Sequence, residues 1–252
     1  MARLFELLDY VNDLLAVKNY RDYTPNGLQV EGKHEIKKIV TGVSASYDLI
    51  EKAVEKKADA ILVHHGYFWK NENPCILGMK KERLKLLLQH EINLIAYHIP
   101  LDDHPVYGNN IQLAKVLGIK VEGKIAGADD NSLVWHGVLA KPISAQELLD
   151  HIASKLNRTP VHLPGDKETI KTIAWCTGAA QGYIDQAVDA NMDAYLSGEV
   201  SEQTYHVVKE TGTHFFAGGH HATERYGVRS LGEHLAQKYS LDCDYIELDN
   251  PV

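Results

Sequence analysis

Three short stretches hold the residue types that bind metal ions: His64-His65-Gly66, His98-x-x-x-Asp102 and His220-x-x-x-Glu224. Imidazole mixed with carboxylate suits Zn, Fe, Mn or Co, whereas Mg and Ca favour all-oxygen surroundings. Six candidate ligands exceed the needs of one tetrahedral zinc. They match two divalent transition-metal ions, each with about three protein ligands and open positions for water. Two such ions, roughly 3.5–4 Å apart, would supply a hydroxide nucleophile near neutral pH. The ligands are dispersed and no cysteine joins them, which favours a catalytic site over a compact structural zinc module. Taken alone, each histidine also reads as a satisfied core or surface residue. His64 and His65 are a special case, because neighbouring side chains on a regular strand point to opposite faces. They can share a site only if the strand stops at them, and Gly66 permits such a stop.

Several elements must position these residues. Leu4, Leu7, Leu8, Val11, Leu14 and Leu15 recur at helical spacing and predict a helix over 3–16. A loop with a Pro25-Asn26-Gly27 turn follows. A strand is expected over 36–43, a helix over 47–57 capped by Ser46, and a strand over 60–63 running into the two histidines. A helix over 77–90, a strand over 92–97 ending at His98, a helix over 109–117 and a strand over 119–121 complete the first half. The polar, glycine-containing stretch 122–131 reads as a linker. Beyond it come a strand (133–140), a helix (144–156) with Ser144 and Glu147 spaced as a capping box, and a loop over 160–166. Strand and helix alternate throughout, which implies an α/β fold with largely parallel sheets covered by helices.

The chain also repeats itself. Residues 36–66 and 170–200 align without gaps and share ten identities, at Ile36/Ile170, Lys37/Lys171, Ile39/Ile173, Ala45/Ala179, Ile50/Ile184, Ala53/Ala187, Val54/Val188, Asp59/Asp193, Ala60/Ala194 and Leu62/Leu196. Any two βαβ units share some apolar pattern, but this number of ungapped identities favours duplication. The reading is therefore two similar α/β domains, 1–125 and 126–252. The next unit repeats as well. Both His98 and His220 end a predicted strand, both have a carboxylate four residues on, and both are followed by a Tyr-Gly pair, Tyr107-Gly108 and Tyr226-Gly227. That recurrence raises the metal reading well above isolated core histidines. Glu199 aligns with His65. It reads as a group that orients a ligand, as a general base, or as a solvated surface residue. His221 would face substrate or support a ligand; Glu199 and His221 are thus the candidate catalytic residues. His104 and His206 are weaker candidates. Tyr67, Phe68 and Trp69 can stack on a purine or pack an interface.

The bulk composition narrows the function classes. The 252 residues carry a formal net charge of -8, which argues against a nucleic-acid binder held by electrostatics. Three dispersed cysteines, no secretory leader and no run of membrane-span length lead to the expectation of a reduced, cytoplasmic protein without a membrane partner.

The combination Asn26-Gly-Leu-Gln-Val30, His64-His65-Gly66, His98-x-x-x-Asp102, Gly198-Glu199 and Gly219-His-His-Ala-Thr-Glu224 resembles the Nif-three-like family, whose bacterial members are labelled GTP cyclohydrolase type-2-like. The resemblance covers nearly the whole chain in its short form. It implies two similar α/β domains with a dinuclear metal site between them, and a homohexamer built as a trimer of dimers. Its metal ligands carry over to His64, His65, His98, Asp102, His220 and Glu224. It further implies a metal-dependent hydrolase acting on a small molecule such as a nucleotide or purine. A cyclohydrolase would attack purine C8 and release formate. A metal phosphoesterase, or a ring-shaped metal-binding scaffold without turnover, are the alternatives.

Overall fold

The computed structural model describes residues 1–125 and 132–252. In chain order, the elements up to residue 108 are β1 (Ala2–Arg3), α1 (Leu4–Leu14), β2 (Gly27–Val30), β3 (Glu35–Ile36), β4 (Lys38–Ser44), α2 (Tyr47–Glu55), β5 (Ala60–His65), α3 (Gly78–Gln89), β6 (Asn93–Ala96) and α4 (Ile99–Asp103). Then follow α5 (Asn109–Leu117), β7 (Lys120–Lys124), β8 (Trp135–Ile143), α6 (Ala145–Leu156), β9 (Val161–Leu163), β10 (Ile170–Trp175), α7 (Ile184–Asp189), β11 (Ala194–Ser197), α8 (Glu202–Thr211), β12 (His214–Ala217), α9 (His220–Tyr239) and β13 (Asp242–Tyr245). Ser144 caps α6 in the capping box expected from its spacing to Glu147.

The chain forms two compact units. One comprises Met1–Gly108 with Arg225–Asp249, the other Asn109–Glu224 with Asn250–Val252. Their membership differs from a division at 125/126: α5 and β7 belong to the second unit, and the chain returns to the first unit after Glu224. Val228, Leu231 and Leu235 of α9 join the core cluster of Leu4, Leu7, Leu8 and Val11 from α1. β13 then pairs in parallel with β4. The linker expected over 122–131 meets a different outcome in its first part: Glu122–Lys124 belong to β7, which pairs antiparallel with β8. Its residues 126–131 lie outside the described residues.

The first unit's main sheet has the order β13-β4-β5-β6-β2, parallel except for the antiparallel edge strand β2. Period-two alternation serves both faces. Ile39 and Leu62 turn to the cluster with α1, while Val40, Ile61 and Val63 join Leu49, Ile50 and Ala53 of α2 and Leu84 and Leu87 of α3. The second unit's sheet, β7-β8-β10-β11-β12-β9, is parallel only at β10, β11 and β12. Its other pairings are antiparallel, so it is mixed rather than largely parallel. β9 occupies part of the segment expected as a loop over 160–166.

The identity Asp59/Asp193 has a matched physical role. Asp59 Oδ2 accepts the backbone N–H groups of Lys37 and Lys38 at 2.9 and 3.1 Å. Asp193 Oδ2 accepts those of Lys171 and Thr172 at 3.0 and 2.9 Å. Each carboxylate ties the start of one strand to the start of the next. Burial acts to raise both carboxyl groups, but the hydrogen bonds outweigh it and hold both below the ordinary range. A depressed folded-state value adds stability above the unfolded pKa of about 4, and that stability is lost as the pH falls through the folded value. Asp59→Ala leaves two strand N–H groups without their acceptor and should cost about 1–3 kcal/mol at pH 7. The urea midpoint would register the loss, and the gap between variant and wild type should close as the pH is lowered below about 4.

Candidate metal centre

In the first unit, three of the expected ligands meet at the carboxyl ends of β5 and β6. His64, His65 and His98 each offer a ligand atom within 4.8 Å of the others. Contrary to expectation, the strand does not stop at the first of the histidines. β5 continues through His65, which pairs with Ser44 of β4. On its other edge, however, the ladder with β6 ends at Val63 and Ala96, so His64 lies beyond the paired segment. The His64 and His65 rings converge there, with centroids 4.6 Å apart. Gly66 has a steric reason: a Cβ at this position would lie 2.1 Å from Gln29 Oε1 and 2.7 Å from the Ala96 Cβ. His98 precedes α4 and Asp102 lies within it, so the four-residue spacing spans one helical turn. Asp102 Oδ1 lies 3.4 Å from His64 Nε2.

Each of these imidazoles is held from behind through Nδ1. His64 Nδ1 meets the Tyr97 carbonyl at 2.9 Å, His65 Nδ1 meets Ser44 Oγ at 3.0 Å, and His98 Nδ1 meets Asp22 Oδ1 at 2.7 Å. A carbonyl and a carboxylate only accept, so His64 and His98 donate from Nδ1. Metal-binding histidines are oriented in this way.

Asp22, behind His98, is a residue that the motif spacing does not single out. Its Oδ1 also accepts the Tyr23 N–H, and its Oδ2 accepts Asn26 Nδ2 and the Ile99 N–H. Burial works to raise its carboxyl group, but the bonds from His98, Asn26 and Tyr23 lower it to about 2. Asn26 completes the clamp by accepting the His98 N–H at 2.7 Å. The Asn26-Gly27 turn marked this loop as special, and the carboxylate four residues earlier was the remaining clue.

The aromatic run after His65 divides its roles. Tyr67 is buried and its hydroxyl donates to the Ala45 carbonyl. Phe68 lies under Lys80. Trp69 alone stands at the histidines, edge-on to His98 with ring centroids 5.1 Å apart and its Nε1 donating to the Gly66 carbonyl.

In the second unit, His220 and Glu224 occupy the first turn of α9, again four residues apart. His220 Nε2 lies 3.0 Å from Glu224 Oε2, and His220 Nδ1 lies 2.6 Å from Glu199 Oε1. Glu199 therefore stands behind His220 as Asp22 stands behind His98. Burial acts to lower the His220 imidazole, but Glu224 and Glu199 outweigh it and raise it to about 9. Glu224 is only 3% exposed, and a buried carboxylate requires a cation. A protonated His220 would supply that charge, and a divalent ion on Nε2 would supply more. Gly178 makes room for this pair: its φ is +68°, and a Cβ would lie 2.0 Å from Glu224 Oε1 and 3.2 Å from His220 Nε2. The donor chemistry in each unit thus fits borderline transition metals.

The remaining candidates have other surroundings in the structure. His221 is buried and its backbone N–H donates to the Val252 carbonyl. His206 pairs with Glu202 on the exposed face of α8. His104 Nδ1 accepts the backbone N–H groups of Val106 and Tyr107 and so shapes a turn.

The family model described as Duf34/NIF3 (NGG1p interacting factor 3) matches residues 2–251. A Pseudomonas aeruginosa protein named GTP cyclohydrolase 1 type 2 homolog is 51% identical over 249 residues, covering 99% of this chain and 98% of its own. Among solved structures, protein ybgI, titled as of unknown function, is similar with a TM-score of 0.96 and 48% identity over 100% of both chains. A Thermus thermophilus protein, TTHA1606, is similar with a TM-score of 0.90 and 29% identity, again over 100% of both chains. With a family match over nearly its whole length and relatives at half identity, the chain belongs to the Duf34/NIF3 family.

Proposed function

We propose that this chain is a dinuclear-metal-dependent hydrolase acting on a nucleotide or related purine. His64, His65, His98, Asp102, His220 and Glu224 are the residues that would hold the two ions. The observation that carries this reading is the shared support behind the imidazoles, with Tyr97, Ser44, Asp22 and Glu199 each meeting an Nδ1. Core histidines need hydrogen bonds, but not four imidazoles each held through Nδ1 beside the buried carboxylates Asp102 and Glu224. When bound, the ion pair supplies a hydroxide near neutral pH. The chain's own residues supply orientation and proton handling. Asp22 fixes His98, and Glu199 fixes His220 as a positioning residue. Glu199 has an exposed portion that can take a proton from solvent or substrate, its side chain being 35% accessible. No step requires His221. The purine substrate follows the relatives' printed name. Incubation of the metal-loaded protein with a nucleotide panel, with product identification, tests the reading. Absence of any product from protein carrying about two ions per chain would leave a binding protein instead.

The homohexamer belongs to the same proposal. Ile76, Leu77 and Met79 stand 55%, 66% and 67% exposed around the start of α3, an apolar surface suited to a subunit contact. Light scattering should give six chains per particle; a monomer in dilute solution would refute it. Among the described residues no helix is long and apolar enough to cross a membrane.

A further inference from the structure

The second unit contains a cavity of about 300 Å³ beside Glu199, lined by Arg158, Val161, Gly198, Glu199, Ala217 and Val252 among others. Glu199 already meets His220, so the wall of this cavity adjoins the proposed centre. Arg158 supplies its positive charge. One guanidinium nitrogen, Nη1, donates to the Pro251 carbonyl, while Nε is buried and has no hydrogen-bond partner among the described residues. A buried donor without an acceptor is costly, and a guanidinium presents a rigid fork that matches oxyanions. The sequence makes room for it. Gly219, at φ +100°, lies against the guanidinium, and a Cβ there would come within 2.8 Å of Arg158 Nε. The same segment ends in Val252, whose carbonyl accepts the His221 N–H near the start of α9.

We propose that Arg158 and this cavity form an oxyanion subsite that binds a phosphoryl group of a phosphorylated substrate, which exchanges with the Pro251 carbonyl for the guanidinium. The assignment rests on the hydrolase reading for its link to turnover, but binding itself does not depend on turnover. It gives the site a substrate class, since a nucleotide would be held by its phosphate through Arg158 while its base lies elsewhere. Glu199 also lines the cavity, and its Oε1 is held at 2.6 Å by His220 Nδ1.

The test is calorimetric titration of the metal-loaded full chain with three probes: tripolyphosphate, GTP and guanosine. Arg158→Gln should weaken tripolyphosphate and GTP by about tenfold or more, the scale of a lost charge-assisted contact, with guanosine binding and metal content unchanged. Phosphate can also bind the ions directly, so the difference between wild type and variant is the reading, not the bare affinity. Arg158→Lys, which keeps the charge but not the fork, should fall between the two and serves if the glutamine variant does not fold. Equal binding of tripolyphosphate by all three proteins overturns the subsite, as does an equal loss for guanosine. If the Arg158 effect appears but the nucleotide panel yields no product, the hydrolase reading fails and the subsite stands.

Discussion

His64→Ala should remove metal from the first unit and reduce turnover to background. The imidazole is fully buried, its Nδ1 is committed to the Tyr97 carbonyl, and its Nε2 faces Asp102 at 3.4 Å. Alanine removes the ligand and leaves the Asp102 carboxylate without that neighbour in a site too buried to rehydrate cheaply. Elemental analysis after purification in metal-supplemented buffer, read beside product formation, measures both effects. Asp22→Asn gives a graded comparison. Both Asp22 oxygens accept hydrogen bonds, Oδ1 from His98 and Tyr23 and Oδ2 from Asn26 and Ile99. An amide must therefore turn its NH2 group against other donors whichever way it sits. His98 loses its orienting charge, and metal affinity should fall by about 10–100-fold, with the ion still recoverable at higher concentration. His64→Ala should exceed that loss by a clear margin. A His64→Ala protein that keeps wild-type metal and turnover would remove His64 from the site.

Much of this arrangement is legible in the sequence, for identifiable reasons. The pairs His98/Asp102 and His220/Glu224 are readable because a four-residue spacing on a helix brings two side chains together regardless of the rest of the fold. The Asp59/Asp193 match is readable because one carboxylate does the same bonding in each unit. Asp22 is not readable by such logic. It reaches His98 across 76 residues, from a polar loop where an aspartate attracts no notice. β13 was hidden for another reason: Asp242-Cys-Asp-Tyr245 lacks an apolar run, and its pairing with β4 depends on where α9 delivers the chain. β9 was hidden by the prolines at 160 and 164 that flank it. The convergence of His64 and His65 follows from where the β6 ladder ends, which a rule about alternation along one strand does not contain.

The same limit makes Gly178 the most informative position in the second unit. Ungapped alignment places it opposite Ser44, whose hydroxyl contacts His65, yet glycine offers no such group. Its value lies in the missing Cβ. Alanine would first meet the left-handed backbone at φ +68°, worth about 1–2 kcal/mol. It would then meet Glu224, with the new carbon 2.0 Å from Oε1 and 2.9 Å from Cδ. The backbone has little freedom to retreat. The Gly178 N–H donates to Thr223 Oγ1, and its carbonyl accepts the Gly198 N–H and the Ser197 hydroxyl. Glu224 must therefore swing away, taking the buried carboxylate from His220. Gly178→Ala should consequently lose about half of the bound metal, if each ion depends on about three protein ligands, and nearly all turnover. Its melting temperature should fall by about 2–8 °C, given about 2–4 °C per kcal/mol for chains of this size. Gly182→Ala is the matched control, since a Cβ there meets nothing within 4 Å and its φ needs no glycine. The strain alone predicts a cooler melt with metal intact; the displaced carboxylate predicts metal loss even at a temperature where the variant is fully folded. Metal content at about 20 °C, far below the melting range of about 45–65 °C usual for such domains, separates the two. Retention of wild-type metal by Gly178→Ala would take Glu224 out of the ligand set.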